Sequence, residues 1–190
     1  MFSCCRFFQG VLVGKTRSQL WQEILLRVVT DYHLLPVSEK QWIATRLDKI
    51  ALLQRQLQEL FTAGDGDNAC RLCQGDCCAK GHNHMTLANL LSYIHQELSL
   101  PPADFSRTCP FLGEQGCLLA IESRPYNCIT FICDTIEDAL TDDDKQQFYA
   151  LDQQLRELYQ EFSRRYLGAA MTGLLLQTPR LAGQSFFTLR

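Results

Sequence analysis

Apolar residues recur at three- and four-residue steps near the start of the chain. Leu20, Trp21, Ile24, Leu25, Val28 and Val29 fall on one face of a helix running from Ser18 to Leu34, the spacing expected of a half-buried helix with a 3.6-residue period. Pro36 ends it, because the residue before a proline is steered away from helical backbone. Ser38 and Gln41 then read as a capping box, and Trp42, Ile43, Leu47, Ile50, Leu57, Leu60 and Phe61 continue an apolar stripe to Gly64. The run Ala63 to Asn68 consists of turn formers and places the first cysteine motif on a loop. Thr86 is positioned to cap a short helix carrying Leu87, Leu90, Leu91, Ile94 and Leu98, which Pro101 and Pro102 stop. Asp142, Asp143 and Asp144 put negative charge at a further helix start, where the macrodipole favours it. Phe148, Leu151, Leu155, Leu158, Phe162 and Tyr166 come next at heptad-like spacing and read as core packing against the earlier helices.

Between Cys109 and Cys133 this regularity breaks down. Cys117 to Ile121 and Ile129 to Ile132 predict only brief strands or turns. The expected fold is mainly α: one domain over 1–190, with helices at both ends packed around an irregular, cysteine-rich, metal-binding middle over 70–134. A chain of this length can bury roughly 70% of its unfolded surface, enough for one core.

Composition and charge remove several function classes. Hydrophobic residues make up 46% and charged residues 21%, so a packed core is expected and disorder is not. The net charge is −3 and no basic run exceeds Arg164-Arg165, which argues against nucleic acid as a partner. Leu167 to Gln177 is the longest later apolar stretch, about half of the ~20 residues that a membrane-spanning helix needs, so no membrane anchor is expected. The opening MFSCCRFFQGVLVGK has no basic n-region, long h-region or small-residue cleavage site. A cytoplasmic location is therefore the expectation, and thiols kept reduced there serve metal binding or redox chemistry more readily than a disulfide framework.

The thiols are concentrated. Of ten cysteines, Cys4 and Cys5 stand at the start and eight fall between Cys70 and Cys133. Cys70-Arg-Leu-Cys73-Gln-Gly-Asp-Cys77-Cys78 joins a C-x-x-C pair to two more thiols, and Gly75 frees the backbone to bring a third sulfur to one cation. Cys77 and Cys78 are adjacent and tend to point apart, so one of them serves a second metal or supports the first. Cys109, Cys117, Cys128 and Cys133 come after them at ragged spacing that identifies no metal by itself. Four plus four thiolates close two tetrahedral zinc sites, or one iron–sulfur cluster takes four and leaves the rest as supports. The competing reading, eight buried cysteines acting as small apolar residues, does not account for the clustering.

Cys70 to Cys78, then Cys109-Pro110-Phe111-Leu112, Gly116-Cys117 and Arg124-Pro125-Tyr126-Asn127-Cys128, resembles the YkgJ-like cysteine-cluster family, named for zinc or iron chelation. The resemblance covers Cys70 to Asp134. It departs from the family in the first motif, where three residues rather than two precede the double cysteine, and at Ile129, where an arginine often stands. The resemblance implies a metal-binding domain without an assigned reaction. Some members carry it within protein-lysine methylases of flagellin, which makes a cluster-dependent modifying enzyme one alternative. No G-x-G-x-x-G follows a predicted strand to hold a nucleotide-like cofactor.

Other residues add less. Arg124 is a candidate for offsetting the negative charge of a thiolate-bound metal and donating to its sulfurs, with a surface salt bridge as the equal alternative. His82 and His84 are possible imidazole ligands, although loop histidines are more often solvated. His33 and His95 read as helix-boundary residues, and Cys4 and Cys5 carry no accompanying lipidation signal. Asp76, Glu114 and Asp134 form no recognisable catalytic pair and read as solvated turn residues, so no catalytic residue is named. Three functions therefore compete: an iron–sulfur or zinc protein acting as a redox or maturation accessory for a protein partner, a zinc-stapled interaction module, and the modifying enzyme.

Overall fold

The computed structural model describes residues 15–73, 76–77, 85–114 and 116–190. It is mainly helical. The helices are α1 (Arg17–His33), α2 (Val37–Ala63), α3 (Gly66–Leu72), α4 (Leu87–His95), α5 (Tyr126–Thr130), α6 (Asp134–Ala139), α7 (Asp142–Arg165) and α8 (Leu174–Gln177). A two-stranded antiparallel hairpin, β1 (Leu112–Gly113) and β2 (Gly116–Cys117), interrupts them.

The long helices follow the apolar periodicity. Trp21, Ile24 and Val28 of α1 are buried, as are Ile43, Leu47, Ile50, Leu57 and Leu60 of α2. Helix α2 is about 40 Å long at 1.5 Å per residue, and its most extensive helix partner is α7, which buries Phe148, Leu151, Leu155, Leu158 and Phe162 against it. Each such aliphatic or aromatic side chain contributes about 1.5–3 kcal/mol on full burial. Helices from the two ends thus form one core, and the cysteine-bearing segments sit on it.

The helix starts differ in detail from the sequence expectation. Helix α2 begins on Pro36 and has no side-chain cap, so the expected Ser38–Gln41 box does not form: Ser38 already lies within the first turn. Capping boxes close instead at Thr16–Gln19 and Thr86–Asn89. Thr141 caps α7 by accepting from the Asp144 N–H at 3.2 Å. Two short helices replace predicted irregular structure: α3 where turn formers suggest a loop, and α5 over part of the segment read as a brief strand or turn. Neither is long enough to reveal itself by periodicity, and both rest on packing.

The C-terminal tail pairs back onto the residues that follow α7. Leu167 and Gly168 N–H donate to the Thr188 and Phe186 carbonyls at 2.8 and 3.0 Å. A Cβ on Gly168 would lie 2.7 Å from the Phe186 backbone, so only glycine permits this approach. The guanidinium groups of Arg46 and Arg165 each lie over the Trp42 ring, at 4.4 and 4.6 Å from its centre. Among the described residues no helix is long and apolar enough to cross a membrane.

Candidate functional site

The first thiols stand on a tight corner. Asp65 takes a left-handed φ of 56°, and Gly66 sits so close to Phe61 that a Cβ would lie 2.6 Å from its ring. The corner starts α3 directly after α2, which puts Cys70 on a helix and Cys73 at its C-cap. The Cys73 thiol donates to the Cys70 carbonyl at 3.5 Å, and Cys77 is exposed just beyond. Gly64, at the same corner, rests on α6: a Cβ there would lie 3.0 Å from both the Ile136 side chain and its carbonyl. Cys133 is the N-cap of α6, its carbonyl accepting from the Ile136 and Glu137 N–H groups at 2.9 Å each.

Packing of α3 on α6 has an electrostatic consequence. Burial first, then repulsion from Cys77, Cys73, Cys133 and Asp67, pushes the Cys70 thiol from 9.0 up to about 11. A thiol raised in this way keeps its proton at neutral pH. A bound cation reverses that balance, since ligation deprotonates a thiol outright.

The second pair of thiols frames the hairpin. Cys109 is half-buried, and the backbone N–H groups of Phe111 and Leu112 aim at its sulfur. Burial raises its pKa, as does Cys117, while the two N–H groups act in the opposite direction; the net shift is upward. Pro110 has no N–H to offer, so the donors come from the next two residues. The hairpin register pairs Leu112 with Cys117 and Gly113 with Gly116. Gly116 has φ 118° with open space around its Cα, so backbone conformation alone calls for glycine there.

Arg124 and Pro125 position the remaining thiol. Arg124 is extended, with ψ 143°, as the residue before a proline prefers. Its carbonyl accepts from Gln54 Nε2 at 2.6 Å, Asn89 Nδ2 at 2.8 Å and Tyr159 Oη at 3.4 Å, side chains from α2, α4 and α7. Its guanidinium donates to Gln58 Oε1 at 3.2 Å and to the Leu119 carbonyl at 3.4 Å. Neither acceptor is a carboxylate, so among the described residues the surface salt bridge weighed for Arg124 is not formed. Helix α5 begins two residues later and carries exposed Cys128. Tyr126 anchors α5 to α7 by donating to Asp152 and accepting from Arg156 Nε at 3.0 Å.

A cavity of about 1020 Å³ gathers these parts. Cys70, Cys77, Cys109, Cys117 and Cys128 line it together with Arg124, and Trp21, Phe105 and Phe111 form an apolar wall. Trp21 packs edge-on against both phenylalanines, at 6.4 and 6.0 Å. Cys73 and Cys133 lie outside that lining. Among the described residues, no three histidine, cysteine or acidic side chains already close into a ligand shell. Cys4, Cys5, Cys78, His82 and His84 lie outside the described residues. The residue types suit a thiophilic metal: Cys70, Cys73, Cys77, Cys109, Cys117 and Cys133 are free thiols, backbone N–H groups meet one sulfur, and the Arg124 side chain lines the same cavity as five of the cysteines.

Asp76, Glu114 and Asp134 are exposed; the first two lie in turns, whereas Asp134 is the first residue of α6 and not a turn residue. His33 closes α1, and His95 closes α4 with Nε2 at 3.1 Å from Asp48. Sequence reasoning missed the buried polar frame, Gln54, Asn89 and Tyr159. Its signal was present: Gln54 lies within the apolar stripe of α2, and Asn89 sits between Leu87 and Leu90. Amides in such places need buried partners. Compared with known proteins, the chain matches no family model, no curated protein and no solved structure.

Proposed function

We propose that this chain is a metal-binding protein of the YkgJ-like kind, whose cysteine cluster holds an iron–sulfur centre, with zinc as the alternative metal. The observation that carries the reading is the convergence of Cys70, Cys77, Cys109, Cys117 and Cys128, from separate elements, on one cavity. Core packing does not require that arrangement, since Cys77 and Cys128 are exposed and bury little apolar surface. The surplus of thiols over a single four-coordinate zinc site favours a cluster. Arg124 would balance the charge of the thiolates, and the Phe111 and Leu112 N–H groups would hold Cys109 in its ligating form. A one-electron centre at such a surface cavity suits a redox or maturation accessory that meets a protein partner.

Exposed Leu72, Leu118 and Phe131, each beside a cysteine-bearing segment, favour a second reading: a zinc-stapled module that presents these residues to another protein. One experiment separates the two. Protein purified anaerobically after expression with ample iron is expected to be brown and to contain iron with acid-labile sulfide. Replacing Cys70, Cys73 or Cys128 with Ala is expected to bleach it, while Cys4 and Cys5 are replaceable. Colourless protein with stoichiometric zinc would establish the module instead, and protein that takes up neither metal would refute both.

A further inference from the structure

The cavity offers more than its thiols. Its volume of about 1020 Å³ stands at the upper end of the roughly 300–1,000 Å³ usual for small-molecule sites. A metal ion with sulfurs about 2.3 Å away fills only a small part of such a space. We propose that the cavity also binds a small organic anion, an aromatic carboxylate. Its ring lies against Trp21, Phe105 and Phe111, and its carboxylate meets the guanidinium of Arg124. This goes beyond the metal-binding reading and does not depend on it.

The wall is aromatic and firmly placed. Trp21 meets Phe105 and Phe111 edge-on, at 6.4 and 6.0 Å, and Met85 and Leu119 extend the same apolar lining. Trp21, Phe111, Met85 and Leu119 are buried, so their positions are set by the core, while half-buried Phe105 keeps surface to offer. A flat ring on this wall gains apolar burial together with edge-to-face contact.

The polar end is a cation with no carboxylate of its own. Arg71, Arg107, Arg124 and Arg156 line the cavity against Asp67, Glu114 and Asp152, so with protonated thiols the described lining is net positive. Arg107 and Arg156 pair with Asp104 and Asp152, and exposed Arg71 donates to Asn68. Half-buried Arg124 has only neutral acceptors, the Leu119 carbonyl for Nε and Gln58 Oε1 for Nη1. Asp67 is reached only through the Gln58 amide, which donates to its Oδ1 at 3.5 Å. Among the described residues Nη2 of Arg124 has no partner, which leaves N–H groups for a charge-assisted bond to an incoming carboxylate. With five N–H donors on one guanidinium, that bond and charge offset at the thiols are not exclusive. The hairpin links the two ends: Leu118 N–H donates to the Phe111 carbonyl at 2.9 Å, and Leu119, the next residue, gives its carbonyl to Arg124. The ligand therefore needs only a short spacer between ring and carboxylate.

The test is calorimetric titration of the full chain, anaerobic and as purified. The probes are phenylpropionate, the neutral phenylpropionamide and the cationic phenylpropylamine. Metal content is assayed on the same sample, so the metal-binding reading stands or falls separately. The carboxylate is expected to bind about 10–100-fold more tightly than the amide, and the amine not to bind. Arg124→Gln is expected to erase that preference and leave amide binding in place. Phe105→Ala is expected to weaken carboxylate and amide alike, by about 3–10-fold. A carboxylate bound no more tightly than the amide, or a preference that survives Arg124→Gln, would overturn the proposal. A second measurement needs no variant: photolabelling of wild-type protein with benzoylbenzoate, an aromatic carboxylate, then peptide mapping. Label is expected at Met85 or between Phe105 and Leu112 and is expected to be suppressed by excess phenylpropionate. Label confined to other peptides would count against the site.

Discussion

Asn89 Nδ2 donates to the Arg124 carbonyl at 2.8 Å, so the first turn of α4 sets where the Cys128-bearing helix begins. The same amide group donates to Tyr159 Oη at 2.7 Å, and its Oδ1 accepts from the Thr86 N–H at 3.0 Å. One buried side chain thereby joins a helix cap, the long helix α7 and the strand-like residue ahead of Pro125.

Asn89→Ala removes all three contacts, taking the cap oxygen from Thr86, one of three donors from the Arg124 carbonyl and the amide donor from the buried Tyr159 hydroxyl. The expected loss is about 2–4 kcal/mol, read from the denaturant midpoint at unchanged slope. Asn89→Asp keeps the capping oxygen and loses the donor, so it is expected to fall between wild type and Ala. Equal losses for the two variants would show that the donor contacts alone matter.

The crowded thiols predict a pH dependence of the metal-free protein. The Cys70 pKa is raised in the folded state, chiefly by burial, from 9.0 to about 11, and Cys109 shifts in the same direction. At pH values between the unfolded and folded pKa the unfolded chain therefore carries fewer protons on these groups than the native one. The Cys70 contribution to stability is full below the unfolded value of 9.0 and is lost as the pH rises through about 11, and that of Cys109 is lost in the same direction. Metal binding reverses the trend, because ligands must release protons, so metal affinity is expected to weaken toward acid. Melting curves from neutral pH to about 11, with and without metal, check both signs.

Glu39 gives the opposite sign at the other end of the scale. Hydrogen bonding from Arg165 comes first among the causes that hold its carboxyl below the usual range, with Tyr166 Oη donating at 2.5 Å and Arg165 Nε at 2.9 Å. Its stabilising contribution is present above the ordinary carboxylate pKa and lost as pH falls through the lowered value. Glu39→Gln is expected to cost about 1–3 kcal/mol at neutral pH and to flatten the acid limb of the stability curve. An acid limb unchanged from wild type would remove Glu39 from that role.

Core and surface positions of similar chemistry should separate cleanly. Leu155 on α7 is fully buried, whereas Leu26 on α1 is 69% exposed. Leu155→Ala is expected to cost about 2–5 kcal/mol and Leu26→Ala no more than about 0.5 kcal/mol. Paired thermal melts test the difference, and comparable losses would place Leu26 in an interface.

Much of the frame was legible before any coordinates. Trp21, Ile24 and Val28, then Ile43, Leu47 and Leu57, then Leu151, Leu155 and Phe162, recur with the helical period, and each set is buried. Over a long helix that period outweighs local exceptions. Helices α3 and α5 were not legible. Seven and five residues span too few turns for a face to show, and such short helices persist only because Phe61, Asp152 and Arg156 hold them in place.

The candidate site divides in the same way. By itself the sequence determined that the chain is mainly helical and that eight thiols and Arg124 belong to its middle, because residue type and local spacing are properties of the chain. Only the tertiary structure decided that five of those thiols share one cavity. It also decided that Gln54, Asn89 and Tyr159 meet at the carbonyl of Arg124. These are relations between residues far apart in the chain, and they depend on which helix faces pack together, a choice made by the burial of the whole core and not by any one segment.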